Sequence, residues 1–172
     1  VACPPPGFSL EILARHHRRK KFSSGNLSVD RWLHTKAISA MAKNTSTTNV
    51  LVAADGVVAG FYTLANTALD VSLVPAVLFG GQVPTKPPPT LTLAWLGVDE
   101  AFAGKGLGTL LFARALADGV QVYAIVRFVA VMVDALSDAN AGFYRRHGFE
   151  PVPGAPGKLY LPASTLMAVT GC

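Results

Sequence analysis

Residues 91–111, LTLAWLGVDEAFAGKGLGTLL, set out a strand, a glycine turn and a helix in that order. Leu91 to Val98 has strand character, Gly104, Gly106 and Gly108 remove side chains from the turn, and a helix begins near Gly106. Unpaired amides at a helix N-terminus, lying at the positive end of its dipole, make a cradle for phosphate. Glycine matters there because the backbone itself must approach the anion. Spacing excludes two familiar phosphate binders. A Walker A loop needs Gly-Lys followed by Ser or Thr, but Lys105 is followed by Gly106. The dinucleotide fingerprint needs G-x-G-x-x-G, whereas this loop is G-x-G-x-G. Taken alone, a glycine turn without a ligand stands level with a phosphate site.

Upstream, Val29, Trp32, Leu33, Ala37, Ala40 and Met41 recur at helical spacing behind Asn26 or Ser28 as N-cap. Asn49 to Ala54 and Val57 to Leu64 are β-rich and flank Asp55-Gly56, which signals a hairpin. Downstream, Val120 to Val126 reads equally as the end of the helix or as a strand. Phe128 to Val133 is continuously apolar, as expected of a strand covered on both faces. Ser137 or Asp138 caps a short helix through Arg146, stopped by Gly148, and Lys158 to Leu161 is a last strand. This order predicts an α/β or α+β sheet covered by helices. No solenoid-length repeat is present. The proline cluster from Pro84 to Pro89 marks a surface loop, and residues 1–21 form a basic, proline-containing N-terminal segment.

The chain has 172 residues, about one domain's worth. Hydrophobic residues make up 51% and charged residues 15%, which excludes disorder as the default. Its net charge of +5 permits phosphate-rich partners without demanding them. No apolar run approaches the ~18 residues of a membrane helix. Cys3 and Cys172 sit at opposite ends and form neither a disulfide framework nor a CxxC metal pair. VACPPPG lacks a signal-peptide pattern, so the expectation is a cytoplasmic protein, with an initiator or short leader missing before Val1.

Together with the loop, Asn140-Ala141-Gly142-Phe143-Tyr144-Arg145-Arg146-His147-Gly148-Phe149 resembles the GNAT family of N-acetyltransferases. FSSGNLSVDRWL at residues 22–33 and VVAGFYTLA at residues 57–65 are similar to the toxin branch of that family. The resemblance covers roughly Phe22 to Leu166 and rests on four ordered motifs. It implies a single domain with the GNAT fold, a mixed and largely antiparallel central sheet flanked by helices on both faces. It further implies acetyl-CoA as co-substrate and no metal. The expected cofactor-binding residues are Leu96, Gly97, Val98, Ala103, Gly104, Lys105, Gly106, Leu107, Gly108, Thr109, Ser137 and Phe143. Members of the toxin branch acetylate the amino group of aminoacyl-tRNA, block translation and pair with a ribbon-helix-helix antitoxin. A homodimer is expected as well. Three positions depart from the pattern: Ala103 replaces Gln or Arg, Trp95 replaces a basic residue, and Ser137 replaces Asn. The Gly104 to Gly108 amides survive these changes, so cofactor binding is expected to weaken rather than vanish.

Acetyl transfer needs a polarised carbonyl, a neutral amine and a proton for the departing thiolate. Backbone N–H groups at Leu96-Gly97-Val98 are candidates for the first role. An α-amino group titrates near ~7.7–8.0, so no strong base is obligatory. The resemblance makes Tyr144 the acid; composition alone would leave it a packing tyrosine. His16, His17, His34 and His147 show no metal spacing and read as structural or RNA-facing. Arg15-His16-His17-Arg18-Arg19-Lys20-Lys21 is either a solvated positive face or a phosphate-backbone contact. With a tRNA substrate implied, the RNA reading leads, and Lys36, Lys43, Arg145 and Arg146 extend the track. Two alternatives remain: an acetyltransferase for a small amine or protein N-terminus, and a degenerate domain that only binds acyl-CoA. Val71 to Phe79 with the proline loop is either an exposed rim for a partner or ordinary core.

Overall fold

The computed structural model describes residues 3–169. They fall into two compact units, Val1–Ala65 with Leu93–Ala117, and Asn66–Thr92 with Asp118–Cys172. Both are α+β.

The first unit holds β1 (Phe8–Ile12), α1 (Leu27–Arg31), a π-helical turn (Trp32–Lys36), α2 (Ala37–Ala42) and β2 (Thr47–Ala53). It also takes most of β3 (Val58–Ala68), the second half of β4 (Pro89–Val98), a 3-10 turn at Glu100–Phe102 and the start of α3 (Leu107–Ile125). Its strands follow the order β1-β2-β3-β4, and β1–β2 and β2–β3 are antiparallel. The Asp55-Gly56 hairpin forms as its sequence requires. Gly56 takes φ +82, Ala53 N–H donates to Val57 O at 2.9 Å, and Val57 N–H donates to the Asp55 carboxylate at 3.1 Å.

Asn26 caps α1, its side chain accepting from the Ser28 and Val29 amides at 3.0 and 3.2 Å. The predicted single helix is therefore present but interrupted: Ala37 N–H reaches back to Trp32 O, one residue beyond α-helical spacing. Val29, Leu33 and Ala37 pack against Val50, Val52, Val58 and Phe61 on one sheet face. Gly60, next to Phe61 and so on the opposite face, meets α3: a Cβ built there lies 2.7 Å from Leu111 Cδ1. Helices thus cover both faces in this unit.

β1 escaped the sequence reading, which placed it within the basic N-terminal segment. Phe8-Ser9-Leu10-Glu11-Ile12 alternates apolar and polar residues, the period of a half-buried strand, with Phe8 and Leu10 turned inward and the whole strand paired with β2.

The second unit contains the ends of β3 and β4, the remainder of α3, β5 (Ala130–Asp134), α4 (Asp138–Arg146), β6 (Glu150–Pro151), β7 (Lys158–Pro162) and α5 (Ala163–Val169). Its strand order ends β4-β5-β7-β6, with β5–β7 and β6–β7 antiparallel. The ambiguous 120–126 stretch is helical, and Val126 N–H still donates to Val122 O at 2.8 Å beyond the last residue of α3. Residues 130–133 are buried, as the apolar run from Phe128 predicts. Two 3-10 turns occupy Val71–Leu73 and Ala76–Phe79. The stretch divides between core and surface. Leu73, Val74 and Leu78 pack on Leu69, Met132 and Tyr160, while Val77 is 70% exposed.

Gly97 carries the tightest demand on the first unit. A Cβ there would lie 2.7 Å from Val29 Cγ1, 3.2 Å from Phe61 and 3.4 Å from Phe22. Overpacking of this kind costs ~1–3 kcal/mol. Gly97→Ala should therefore lower the midpoint of thermal unfolding by several degrees. Gly108→Ala, whose Cβ meets only Val98 at 3.8 Å, should leave it unchanged or raised in the same calorimetric series.

Candidate active site

In the first unit the end of β4 passes into the glycine turn through Asp99. Its amide donates to Ala59 O at 2.9 Å, anchoring it to β3. One carboxylate oxygen accepts from Ala101 N–H at 2.9 Å and the other from Ser23 N–H at 3.0 Å. Glu100 N–H returns a bond to Ser23 O at 2.8 Å. These bonds fix the entry to the turn and tie it to the segment ahead of α1. Gly104 and Gly106 then adopt φ +76 and +75, the left-handed region in which glycine carries no side-chain penalty.

The first bond into α3 runs from Leu110 N–H to Gly106 O at 3.1 Å. Helix geometry leaves the amides of Leu107, Gly108 and Thr109 without a helical partner. Nothing lies within 4 Å of a Cβ built at Gly104 or Gly106, so the cradle is open to a ligand. Ala103, Lys105 and Thr109 are exposed, with Lys105 Nζ 5.4 Å from the centre of the Phe102 ring. The Leu107 side chain is buried, so only its amide is available. The structure thus brings Leu96, Gly97, Val98 and residues 103–109 together on one strand–turn–helix corner, with donors suited to a pyrophosphate.

Trp95 on β4 stacks on Trp32, ring centres 5.4 Å apart and planes 15° off parallel. The Trp32 indole N–H donates to Thr63 Oγ1 at 3.0 Å, and Thr63 pairs with Thr48 at 2.7 Å. Trp95, one of the three departures from the family pattern, is therefore built into the packing of the π-helical turn on the sheet.

The basic run is an ordered loop. Arg18 donates to the Asp55 carbonyl and makes a parallel bridge with Val57. His17 is buried: its Nδ1 accepts from Ala14 N–H at 2.8 Å and its Nε2 faces the Glu11 carboxylate at 3.0 Å. His17, with the hydroxyl of Ser9 first among the causes, holds Glu11 below the usual carboxylate range. Glu11, His16 and His17 bring three ligand atoms within 4.8 Å of one another. Sequence spacing could not reveal this, since β1 supplies the carboxylate. The Ala14 bond, however, places the His17 proton on Nε2, toward Glu11, so the pair is a hydrogen-bonded brace. His34 bonds Phe22 O at 2.8 Å, a structural role. Lys36 and Lys43 are exposed at the ends of the π turn and of α2.

In the second unit Ser137 caps α4, its hydroxyl accepting from Asn140 N–H at 3.1 Å. Tyr144 is buried between Phe143 and Phe149, ring centres 5.5 and 5.6 Å away. Burial pushes its pKa up from the ordinary phenol value, partly offset by a hydrogen bond with the Asn140 side chain. The phenol is therefore held protonated at neutral pH. Arg145 and Arg146 are exposed in the last turn of the same helix, and His147 bonds Phe143 O at 2.8 Å. Two residues within the quoted motifs carry structural roles that the motifs alone do not assign: Asp99, an acidic residue at the strand end, and Asn140, four residues before Tyr144 on one helix face.

No helix among the described residues is long and apolar enough to cross a membrane. Residues 46–151 match the family described as Acetyltransferase (GNAT) domain. A tRNA-acetylating toxin from Mycobacterium tuberculosis is 33% identical over 150 residues, covering 87% of this chain and 89% of that protein. Among solved structures, the toxin AtaT complexed with acetyl-methionyl-tRNA superposes with a TM-score of 0.83 at 23% identity, over 95% of this chain and 99% of that one. A mutant AtaT bound to the C-terminus of the antitoxin AtaR and acetyl-CoA gives 0.80 at 21% identity, over 96% and 99%. At such identities the structural likeness speaks for the fold. The strand–glycine turn–helix corner, the family match and the tRNA-acetylating relative agree, and the chain belongs to the GNAT family of acetyltransferases.

Proposed function

We propose that this protein transfers the acetyl group of acetyl-CoA to the α-amine of a charged tRNA, acting as a toxin that a cognate antitoxin neutralises. The observation that carries the reading is the open amide cradle from Gly104 to Thr109, in a chain one-third identical to a tRNA-acetylating toxin. An acetylated α-amine cannot accept the growing peptide, so translation stops. The family match runs through residues of both units, and we read the chain as one catalytic domain.

The roles follow from the chemistry of each group. Amides of residues 104–109 hold the pyrophosphate, with Ala103 contributing no side-chain donor. Leu96, Gly97 and Val98 offer backbone N–H groups to the thioester carbonyl. Ser137 and Phe143 flank the donor on α4, and Tyr144 protonates the departing thiolate. Arg15, Arg18, Arg19, Lys20, Lys21, Lys36, Lys43, Arg145 and Arg146 face the RNA backbone. The same reading places the protein in the cytoplasm as a homodimer, with exposed Val77 and Val83 on the partner-facing rim, and gives it a ribbon-helix-helix antitoxin.

Tyr144→Phe should lower kcat by roughly 10²- to 10⁴-fold, the usual worth of a positioned acid. The affinity for acetyl-CoA, measured by calorimetry, should stay unchanged; lost binding instead would make Tyr144 a packing residue.

The pH profile follows from the raised pKa of Tyr144. A phenol pushed up from its ordinary value by burial stays protonated through neutral and mildly alkaline pH, so it imposes no alkaline loss of rate between pH 7 and 9. Over the same range the substrate amine loses its proton near ~7.7–8.0. The rate kcat/KM should therefore rise through pH 8 and approach a plateau by pH 9; a decline above pH 8 would contradict the assignment of Tyr144.

The direct test incubates the purified protein with acetyl-CoA and a pool of charged tRNAs, then analyses the aminoacyl-adenosine ends by mass spectrometry after nuclease digestion. Acetyl groups on one or a few aminoacyl ends are expected, with activity falling steeply as salt rises. Bound acetyl-CoA with no acetylated end at any salt would sink the tRNA reading.

A further inference from the structure

At Trp95 an uncharged indole stands where the family pattern has a cation. Phosphate chemistry is concentrated elsewhere in this unit. It lies in the open amides of the glycine turn and in the basic loop, which folds around a cavity of about 470 Å³ lined by residues 15–22. A neutral aromatic donor suits another part of a substrate, a ring rather than a phosphate.

The two tryptophans of the chain, Trp32 and Trp95, are both half-buried and stacked, their planes 15° off parallel. Trp32 spends its N–H on Thr63 Oγ1 at 3.0 Å, and Thr63 is sealed from water. The Trp95 N–H has no acceptor among the described residues. Nor is it sealed in, since the buried side-chain polar atoms without a partner among those residues are Arg19 Nε and Ser46 Oγ. Trp95 therefore presents a donor and part of its ring to solvent, held in place by its neighbour. Trp32 itself opens the π-helical turn, and such turns are frequent at functional sites.

Trp95 adjoins Leu96-Gly97-Val98, whose amides are assigned above to the thioester carbonyl. It shares a strand face with Gly97, about 7 Å away along the strand. An amine attacking the carbonyl must come within ~3–3.5 Å of it. In a charged tRNA the aminoacyl side chain branches off beside the amine. The ribose and base lie several bonds beyond it, at the range of the Trp95 ring. The acceptor end is also single-stranded, and unpaired bases are held by stacking on aromatic side chains.

We infer that Trp95 is a specificity-determining residue for the acceptor: its open ring receives the terminal adenine of the charged tRNA, and its N–H donates to an oxygen of the same nucleoside. Trp32 is a positioning residue behind it. The inference rests on the charged-tRNA reading above and narrows which part of that substrate is recognised.

The test compares two acceptors built on the amino acid that the charged-tRNA assay shows to be acetylated, its 3′-adenosyl ester and its methyl ester. With acetyl-CoA saturating, the wild type should favour the adenosyl ester by roughly tenfold or more in kcat/KM, the usual worth of stacking one base. Trp95→Leu should bring that ratio close to one. Trp95→Phe, which keeps a ring and loses the donor, should retain most of it. Equal rates of the wild type on both esters overturn the assignment while leaving the acetyltransferase reading in place. So does a Trp95→Leu variant that slows both esters alike, which would make Trp95 a packing residue or a contact of the aminoacyl side chain. A preference unchanged in Trp95→Leu places the adenine elsewhere and overturns it too. A second measurement needs no Trp95 variant. Protein labelled with 5-fluorotryptophan gives two fluorine resonances, one per tryptophan, assigned with Trp32→Phe. With coenzyme A saturating, the 3′-amide analogue of the adenosyl ester should shift the Trp95 resonance; an unmoved resonance overturns the contact. If no charged tRNA is acetylated at all, the charged-tRNA reading fails first and the inference with it.

Discussion

The carboxylate of Asp99 is the joint of the first unit. A nearly buried carboxylate needs donors, and it finds them in the amides of Ser23 and Ala101, which belong to two segments far apart in sequence. Its own amide is committed to β3. One residue therefore sets three things at once: where the sheet stops, where the glycine turn begins, and where the segment leading to α1 crosses them. The adjoining loop is tied in the same way, by Ser24 donating through both amide and hydroxyl to Asp30 at 2.8 and 2.6 Å. The turn can be left open to a ligand because its root is so firmly held.

A second constraint is the closeness of β4 to α1. Gly97 admits Val29 and Phe61 to the space a side chain would fill, and the Trp32–Trp95 stack extends that contact along the strand. The backbone at the strand end is thus pressed from one side by core residues. Its amides are placed by packing as well as by sheet pairing, which is what the role proposed for them at a developing oxyanion demands. In the second unit, aromatic packing does the comparable work for Tyr144: Phe143 and Phe149 exclude water and Asn140 orients the hydroxyl, so burial keeps the proton in place.

Much of this was legible in the sequence. The hairpin followed from Asp55-Gly56 between β-rich runs, the buried strand from its unbroken apolar residues, and α4 from Ser137 and Gly148 at its ends. The strand–turn–helix order around Gly104 to Gly108 pointed to a phosphate cradle without naming the phosphate, and only the added motifs narrowed it. What stayed hidden depended on contacts between distant segments. Nothing local marks Asp99 as the partner of Ser23, and although Glu11 and His17 are close in sequence, only the turn after β1 brings them together. β1 does alternate, as Phe8-Ser9-Leu10-Glu11-Ile12, but over five residues between the prolines and the charge run, and Val120 to Val126 carries strand-like residues in a stretch that helical continuity wins. The charge run at residues 15–21 was visible, but a sequence cannot say that a loop folds around a cavity.

The π-helical turn between α1 and α2 bears on how this chain tolerates changes in length. Val29, Leu33 and Ala37 follow one another at intervals of four, and all three are essentially inaccessible to water. In an unbroken α-helix each such step drifts by about 40° around the axis. The wider turn across Trp32–Lys36 absorbs part of that drift and keeps Ala37 over the sheet. The residue accommodated there acts as a spacer. Deleting one position between Trp32 and Lys36 would turn α2 by roughly 100° and carry Ala37 and Ile38 off the core. Deletions at residues 82–87 would meet mostly exposed positions. Length variation in this chain is therefore confined to its loops, and α1 and α2 are locked in register with the sheet that carries the site.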